Sequence, residues 1–235
     1  MSVTIMKQFG KERLHLAGMI IYGLFIVSSV TPAFAQAKSI KWEKSIAAFE
    51  AADKKKMPKE DGVLFIGSSS IRGWKTIEQD FPNHTVINRG FGGSEIADSI
   101  HFANRIIHPY KPKHILLYAG DNDIARGKSA EIVLADFKKF ARIIHEKTPQ
   151  ARISFIAIKP SLSRWKLAKK MEKANSLIRT FCSTDAHLSF IDIWKPMLGS
   201  DGKPKPELFI RDGLHLNNKG YALWTKIVAP HLTND

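Results

Sequence analysis

The amino-acid sequence predicts a three-layer α/β/α domain built around a parallel sheet. Short, continuous apolar segments alternate along the chain with segments whose apolar residues recur at helical spacing. Continuous apolar strands are typical of a parallel sheet that is covered on both faces. Alternation of strands and helices along the chain places the helices on the two faces of that sheet.

Five segments are predicted to form the strands, and amphipathic helices fill the gaps between them. The predicted strands are 63–66, 85–87, 115–118, 153–158 and 188–193. The predicted helices are 40–52, 96–107, 133–144, 168–182 and 218–228. Ser94 and Ser129 precede the second and third of these helices and are the expected N-caps.

The first 35 residues have the pattern of a secretory signal peptide. A basic segment is followed by a mostly apolar one, and Ala33-Phe34-Ala35 provides a small-residue cleavage site. We therefore expect a signal peptide at 1–35, a single domain at 36–235, and an exported protein. Cleavage between Ala35 and Gln36 would leave it periplasmic or extracellular. An uncleaved membrane anchor is the alternative, but the apolar segment is short for a bilayer span.

Composition restricts the partners and the chemistry. The net charge of +14 would fall to +12 with loss of the signal segment's three basic residues and one acidic residue. This charge favours an anionic envelope surface as a partner, although a solvated surface explains it as well. No nucleic-acid partner is expected, because the basic runs lack the interleaved aromatic residues of a single-strand groove. Cys182 is the only cysteine, which excludes an intrachain disulfide, and its place on an apolar stripe predicts a buried structural thiol.

Four polar or glycine-rich segments follow predicted strands and offer the parts of a serine hydrolase site. They are Gly67-Ser68-Ser69-Ser70 after the first strand, Asn88-Arg89-Gly90-Phe91-Gly92-Gly93 at the second, Gly120-Asp121-Asn122-Asp123 after the third, and Asp212-Gly213-Leu214-His215 beyond the fifth. Because the carboxyl ends of parallel strands meet at one edge of a sheet, we expect all four segments to lie together.

Each role in an acyl-transfer reaction has one candidate in these segments. Ser69 is the candidate nucleophile, His215 the base that takes its proton, and Asp212 the carboxylate that orients the imidazole. The backbone N–H groups of Ser69 and Gly93 and the side-chain amide of Asn122 are the candidate donors to the oxyanion.

Every candidate also has a local alternative. Ser69 could serve only to cap the next helix, and the G-x-S-x-G nucleophile elbow is absent because Ile71 replaces its second glycine. Gly93 could serve only a turn with positive φ, and Asn122 could be a turn residue. Asp192, at the end of the fifth strand, is a rival triad acid, although nothing in the sequence ties it to a histidine.

Taken together, the four segments resemble the sequence blocks of the SGNH or GDSL-type serine hydrolases. The resemblance is greatest to the branch near platelet-activating-factor acetylhydrolase-like proteins and small bacterial esterases, and it extends over essentially all of 36–235. It assigns the nucleophile to Ser69, the base and acid to His215 and Asp212, and the oxyanion donors to Ser69, Gly93 and Asn122. It implies a flavodoxin-like five-stranded sheet of order 2-1-3-4-5, and neither a metal nor an organic cofactor.

The first block departs from the family signature at two positions. Ser68 stands where the Gly-Asp-Ser-Leu signature has its aspartate, and Ser70 replaces the leucine. Because the nucleophile is retained, the resemblance implies an esterase, lipase or acylhydrolase that acts on a small ester, an acylated carbohydrate or a lysolipid. The acyl chain, the alcohol and the oligomeric state stay open. The rival class is a non-catalytic envelope-binding module that holds anionic polymer or a lipid surface.

Overall fold

The computed structural model describes residues 33–232, and the side chains from residue 41 onward. These residues belong to one compact unit. The predicted signal peptide lies outside the described residues except for its last three positions, and so it stays a prediction. Within the described part of the chain, no helix combines the length and the hydropathy needed to cross a bilayer.

Five parallel strands form one sheet in the order β2-β1-β3-β4-β5, which confirms the predicted fold class and strand order. The strands are β1 (Val63–Gly67), β2 (Val86–Gly90), β3 (His114–Tyr118), β4 (Arg152–Ile156) and β5 (Leu188–Ile191). Both β1 and β3 are buried along their whole length, as their continuous apolar sequences predict. Gly67 pairs with Gly90 on one side and with Tyr118 on the other, so the carboxyl ends of these three strands are level.

Helices cover both faces of the sheet. They are α1 (Ala33–Lys55), α2 (Ser69–Arg72), α3 (Ile77–Asp80), α4 (Ile96–His101), α5 (Ala103–Ile106), α6 (Asp121–Ala125), α7 (Ala130–Lys147), α8 (Ala168–Cys182) and α9 (Asn218–Val228). One core cluster joins the sheet to α1, α4, α5, α7 and α8. The second joins its other face to α2, α3 and α9.

The second core cluster holds together two helices next to the candidate site, α2 and α9. Trp74, just beyond α2, is fully buried, and its ring stacks on Tyr221 of α9 with centroids 5.4 Å apart. The Tyr221 hydroxyl donates to the backbone oxygen of Ser70 at 3.0 Å. Loss of a buried ring of this size costs about 3–5 kcal/mol. Packing therefore holds α2, which begins at Ser69, against the helix that follows His215.

The helix predicted over 96–107 is two helices, because the chain leaves helical geometry at Phe102, where ψ is 4°. The expected N-cap is also wrong: Glu95 caps α4 in place of Ser94. The side chains of Glu95 and Asp98 form a reciprocal capping box, which satisfies two backbone N–H groups at the start of the helix. The Ser94 backbone oxygen instead accepts a hydrogen bond from Asn122.

Two other helix boundaries agree with the sequence. Ser129 caps α7 as predicted by accepting from the backbone N–H of Ile132. The final helix has the predicted bounds of Asn218–Val228. The opening helix extends beyond the predicted 40–52 at both ends.

Candidate active site

The chain turns sharply between β1 and α2, and this turn presents Ser69. Gly67 has φ of +129°, and a Cβ atom there would lie 1.9 Å from the backbone oxygen of Tyr118. Only glycine fits so close to the neighbouring strand. The backbone N–H of Ser68 then donates to the same Tyr118 oxygen at 2.9 Å, and Ser69 becomes the first residue of α2.

Burial separates Ser69 from the serines on either side of it. Ser68 and Ser70 are fully buried, whereas Ser69 is half-buried. The Oγ atom of Ser69 lies 3.0 Å from Nε2 of His215, across 146 residues of sequence. The structure therefore brings the predicted nucleophile and base within hydrogen-bond distance, and Ser69 is the accessible hydroxyl of the three.

Asp212 and His215 form a short turn in which the carboxylate holds the imidazole. One carboxylate oxygen accepts from the backbone N–H groups of Leu214 at 2.8 Å and His215 at 2.9 Å. The other lies 2.5 Å from Nδ1 of His215. An ionised carboxylate only accepts hydrogen bonds, so Nδ1 carries a proton and Nε2 is left to accept from Ser69.

Desolvation raises the pKa of Asp212, but hydrogen bonds outweigh it. The imidazole of His215 and the two backbone N–H groups together lower the pKa of the carboxyl to about 2. Asp212 is therefore a carboxylate throughout the neutral range. Its side chain is 42% exposed and that of His215 36%, so the acid–base pair lies at an open surface.

The three candidate oxyanion donors lie on neighbouring segments. Gly93 has φ of +75° in the loop after β2. The Asn122 side chain is buried and donates one N–H to the backbone oxygen of Ser94 at 2.9 Å. Among the described residues, its second N–H and the backbone N–H groups of Ser69 and Gly93 have no hydrogen-bond partner. Three donors thus remain available at the carboxyl edge of the sheet.

Asn122 lies on a helix and not in a turn, which is the alternative that the sequence leaves open. Gly120, with φ of +108°, turns the chain out of β3 into α6, and Asn122 is the second residue of that helix. Asp121 helps to fix this segment, since its Oδ1 atom accepts from the backbone N–H of Asn122 at 2.9 Å.

The loop that carries Gly93 is fastened at both ends. The backbone N–H of Phe91 donates to the Gly67 oxygen at 2.9 Å, which joins the loop to the end of β1. Arg126 donates to the Gly93 oxygen at 2.9 Å and to Glu95 at 2.9 Å. These contacts fix the backbone on either side of the candidate donor.

Asp192 and Cys182 have other contacts and surroundings than those of the candidate site. Asp192 accepts from Arg179 at 2.5 Å and from the backbone N–H of Trp194 at 3.0 Å. The carboxylate that contacts the imidazole of His215 is that of Asp212. Cys182 is buried, and burial raises the pKa of its thiol to about 12. It is the structural thiol that the helical stripe predicts.

Sequence reasoning missed two basic residues next to Asn122. Arg164 donates to Asp121 and Asn122, and Lys159 lies 3.4 Å from Asp121 with 1% of its side chain exposed. Arg164 is one of 36 basic residues, and no local pattern separates it from the others. The position of Lys159 could have indicated a role at the site, because this lysine directly follows the apolar residues of the predicted fourth strand.

Comparison with known proteins decides the family. The model of the GDSL-like lipase/acylhydrolase family matches residues 63–223, which is more than half of the chain. The chain belongs to this family. As a GDSL-like acylhydrolase, it is an ester-hydrolysing enzyme.

Its relatives agree with this assignment. The GDSL-like acylhydrolase is 27% identical over 169 residues to platelet-activating factor acetylhydrolase IB subunit alpha1 of Pongo abelii, covering 70% of this chain and 72% of the relative. A Streptococcus pneumonia protein has a similar structure, with a TM-score of 0.73 at 20% identity over 86% of this chain and 99% of that one. A GDSL-like lipase of Bacteroides thetaiotaomicron gives a TM-score of 0.65 at 18% identity over 83% and 97% of the two chains. At these identities the two structures show the shared fold.

Proposed function

We propose that this enzyme is an exported serine esterase that works through a Ser69–His215–Asp212 triad and an acyl-enzyme. The observation that carries the proposal is the continuous chain of contacts from the Asp212 carboxylate through His215 to Ser69, at 2.5 and 3.0 Å. Family membership supports an enzyme over the envelope-binding module. A binding module also has no use for a carboxylate-oriented imidazole beside an accessible hydroxyl.

The first half of the reaction acylates Ser69. Nε2 of His215 takes the hydroxyl proton while Oγ bonds to the ester carbonyl carbon, and Asp212 stabilises the imidazolium that forms. The backbone N–H groups of Ser69 and Gly93 and the Asn122 amide donate to the oxyanion. The tetrahedral intermediate then collapses, the bond to the alcohol oxygen breaks, and the imidazolium protonates the leaving alkoxide.

Water completes the cycle. Neutral His215 takes a proton from water as its oxygen bonds to the acyl carbon, and the same donors meet the second oxyanion. Collapse releases the carboxylic acid and returns the proton to Oγ of Ser69. Each proton in this sequence moves through Nε2, and no step requires a metal or an organic cofactor.

We propose a short acyl chain, such as acetyl, joined to a bulky polar alcohol. The named activity of the curated relative, an acetylhydrolase, supports the acyl part. The exposure of Asp212 and His215 leaves room for a large alcohol. A cleft of about 530 Å³ adjoins the triad turn at Ile210 and Leu216, and charged side chains, including Lys75 and Lys219, line it. An acylated carbohydrate suits a short acyl group and this charged lining better than a lysolipid does, because the ester of a lysolipid carries a long acyl chain.

The contacts of α1 are compatible with the proposed signal cleavage. Trp42 is buried and packs edge-on against Phe91 with ring centroids 5.7 Å apart. Glu43 and Glu50 both pair with Arg105. Cleavage between Ala35 and Gln36 would retain all of these residues, so the mature protein would keep the helix docked.

A fluorophosphonate probe tests the proposed nucleophile. We expect the probe to label the protein at Ser69, and Ser69→Ala to abolish both labelling and hydrolysis of p-nitrophenyl acetate. Ser68→Ala and Ser70→Ala are matched controls that should keep both, because these side chains are buried. Labelling of the Ser69→Ala variant, located by peptide mass spectrometry, would assign the nucleophile to another residue and overturn the proposal.

A further inference from the structure

Arg164 links the two residues that begin α6. It follows β4 in sequence, and it donates through one nitrogen to Asp121 at 2.9 Å and through another to Oδ1 of Asn122 at 3.0 Å. The side chain of Arg164 is 19% exposed and that of Asp121 4%, so the pair is largely removed from water. Hydrogen bonds of this charge-assisted kind are short and directional.

We propose that Arg164 is a positioning residue of the oxyanion hole, which fixes the Asn122 amide so that N–H and not oxygen faces the reacting carbonyl. The inference rests on the proposed function, because the donor role of Asn122 belongs to that mechanism. Arg164 itself acts through Asn122 and is not placed against the substrate.

The contacts of Asn122 select one of two amide orientations. Rotation of the amide by 180° would exchange its oxygen and its NH2 group. A guanidinium only donates, so Arg164 can bond the amide oxygen alone, and the Ser94 backbone oxygen only accepts, so it can bond the NH2 group alone. In the flipped amide, the NH2 group would face the guanidinium of Arg164, and both are donors. The amide oxygen would face the backbone oxygen of Ser94, and both are acceptors. The observed orientation leaves one N–H for the oxyanion.

Arg164 also makes the remaining N–H a better donor. A cation that donates to the amide oxygen draws electron density from the nitrogen, and hydrogen bonds in such a chain polarise one another. Asn122 is buried, so this effect operates away from bulk water. Loss of Arg164 should therefore weaken transition-state stabilisation even where the amide keeps its orientation.

A buried network keeps Arg164 in place. Asp121 accepts from Arg164 and from Lys159, and Lys159 also donates to the hydroxyl of Tyr118 at 3.0 Å. Burial lowers the pKa of Lys159, while the nearby Asp121 carboxylate favours its charged form. The network joins the ends of β3 and β4 to α6, which restricts movement of the guanidinium away from Asn122.

Kinetics of two Arg164 variants give the first test. Arg164→Met keeps the length of the side chain but removes its donors, and we expect kcat to fall about 10- to 100-fold with KM nearly unchanged. Arg164→Lys keeps the charge, but its single nitrogen cannot reproduce the fork between Asp121 and Asn122, so it should restore part of the loss. Arg179→Met breaks the exposed pair with Asp192 and should leave kcat unchanged.

A double-mutant cycle separates positioning from general structural damage. In an Asn122→Ala background no amide remains for Arg164 to position. Adding Arg164→Met should then lower kcat by less than about 2-fold. Losses that multiply would overturn the inference, as would unchanged kcat in folded Arg164→Met. If Arg164→Met does not fold, the same cycle with Arg164→Lys decides the question.

The outcomes also distinguish this inference from the proposed function. Turnover that survives Ser69→Ala, or wild-type kcat in Asn122→Ala, would defeat the mechanism on which the inference rests. A large loss in Asn122→Ala with none in Arg164→Met would leave the mechanism intact and defeat the role of Arg164 alone.

Discussion

Asp212 binds His215 twice, once through the backbone N–H at 2.9 Å and once through Nδ1 at 2.5 Å. The two residues are three apart in one turn, with Gly213 between them at φ of +63°. The orientation of the imidazole is therefore set within the turn itself. This arrangement explains how an acid–base pair can keep its geometry while its side chains are 42% and 36% exposed.

Replacement of Asp212 by asparagine should lower kcat by about 10²–10³-fold. A buried triad aspartate costs roughly 10⁴-fold when changed in this way, because the imidazole loses its tautomer, and water can replace part of the contact at an exposed site. Asp192→Asn is the matched control and should keep its activity, since Asp192 pairs with Arg179. Steady-state kinetics on p-nitrophenyl acetate measure both variants. The reverse ranking would make Asp192 the triad acid.

Asn122→Ala should lower kcat about 10²–10³-fold, equivalent to roughly 2.7–4 kcal/mol of transition-state stabilisation. The effect should fall on kcat more than on KM, because the donor binds the developing charge better than the neutral carbonyl. Asp123→Asn serves as the control on the same helix and should cost less, because it removes no oxyanion donor. Near-wild-type kcat in folded Asn122→Ala would show that this residue has only a structural role at the start of α6.

Gly93→Ala should lower kcat about 10-fold while the protein stays folded. The backbone has φ of +75°, which costs alanine about 1–2 kcal/mol, and the new methyl group would lie 3.4 Å from the Trp42 ring. Relief of this strain would move the backbone N–H that we propose as an oxyanion donor. Gly127→Ala is the control, since Gly127 also has positive φ, at +98°, with open space around it. It should lose similar stability in thermal unfolding and keep its kcat.

His114 should make the protein less stable as the pH falls below 6.5. Burial, aided by nearby positive charge, lowers the pKa of His114 from 6.5 to about 3. Between these values the unfolded chain binds a proton that the native protein does not, so the free energy of unfolding decreases as the pH decreases. At pH 5 the loss is on the order of 2 kcal/mol.

Urea unfolding at pH 7 and pH 5 measures this contribution. The wild-type protein should lose about 2 kcal/mol more between the two pH values than His114→Gln does. Asp123 acts in the opposite direction, because burial raises the pKa of its carboxyl to about 6, but it is common to both proteins and cancels. Equal losses would show that His114 does not carry the effect.

Protein isolated from its native envelope should begin at Gln36. Intact-mass measurement distinguishes this species from the full-length chain. A start at Met1 with retention in the membrane fraction would overturn export with signal cleavage.

The sequence predicted the sheet well because its strands are continuously apolar. Residues 63–66 and 115–118 are apolar on both faces of the strand, which favours a central position in a parallel sheet. Both strands lie at central positions and are buried. Once the strands are known, residues at their carboxyl ends must gather at one edge. The gathering of Ser69, Gly93 and Asn122 follows from this rule, whereas His215 lies well beyond the end of β5 and is placed by the long connection that follows that strand.

Contacts between side chains distant in sequence were harder to predict. The spacing of Ile96, Ile100 and Ile107 indicates one helix, but it does not reveal the break at Phe102. Ser94 is a good N-cap by residue type, but Glu95 is the N-cap residue of α4. The backbone oxygen of Ser94 accepts a hydrogen bond from the side chain of Asn122. Arg164 reaches Asn122 across 42 residues of sequence, and such a contact leaves no periodic trace.

The separation of Ser69 and His215 by 146 residues has a consequence for the newly made chain. On the proposed mechanism, a ribosome must translate past His215 before the hydroxyl has any base to activate it. Even then the two groups meet only when the chain has folded so that the turn at His215 lies beside the end of β1. The unfolded polypeptide therefore has no activated serine, and the onset of esterase activity during refolding would report the formation of this long-range contact.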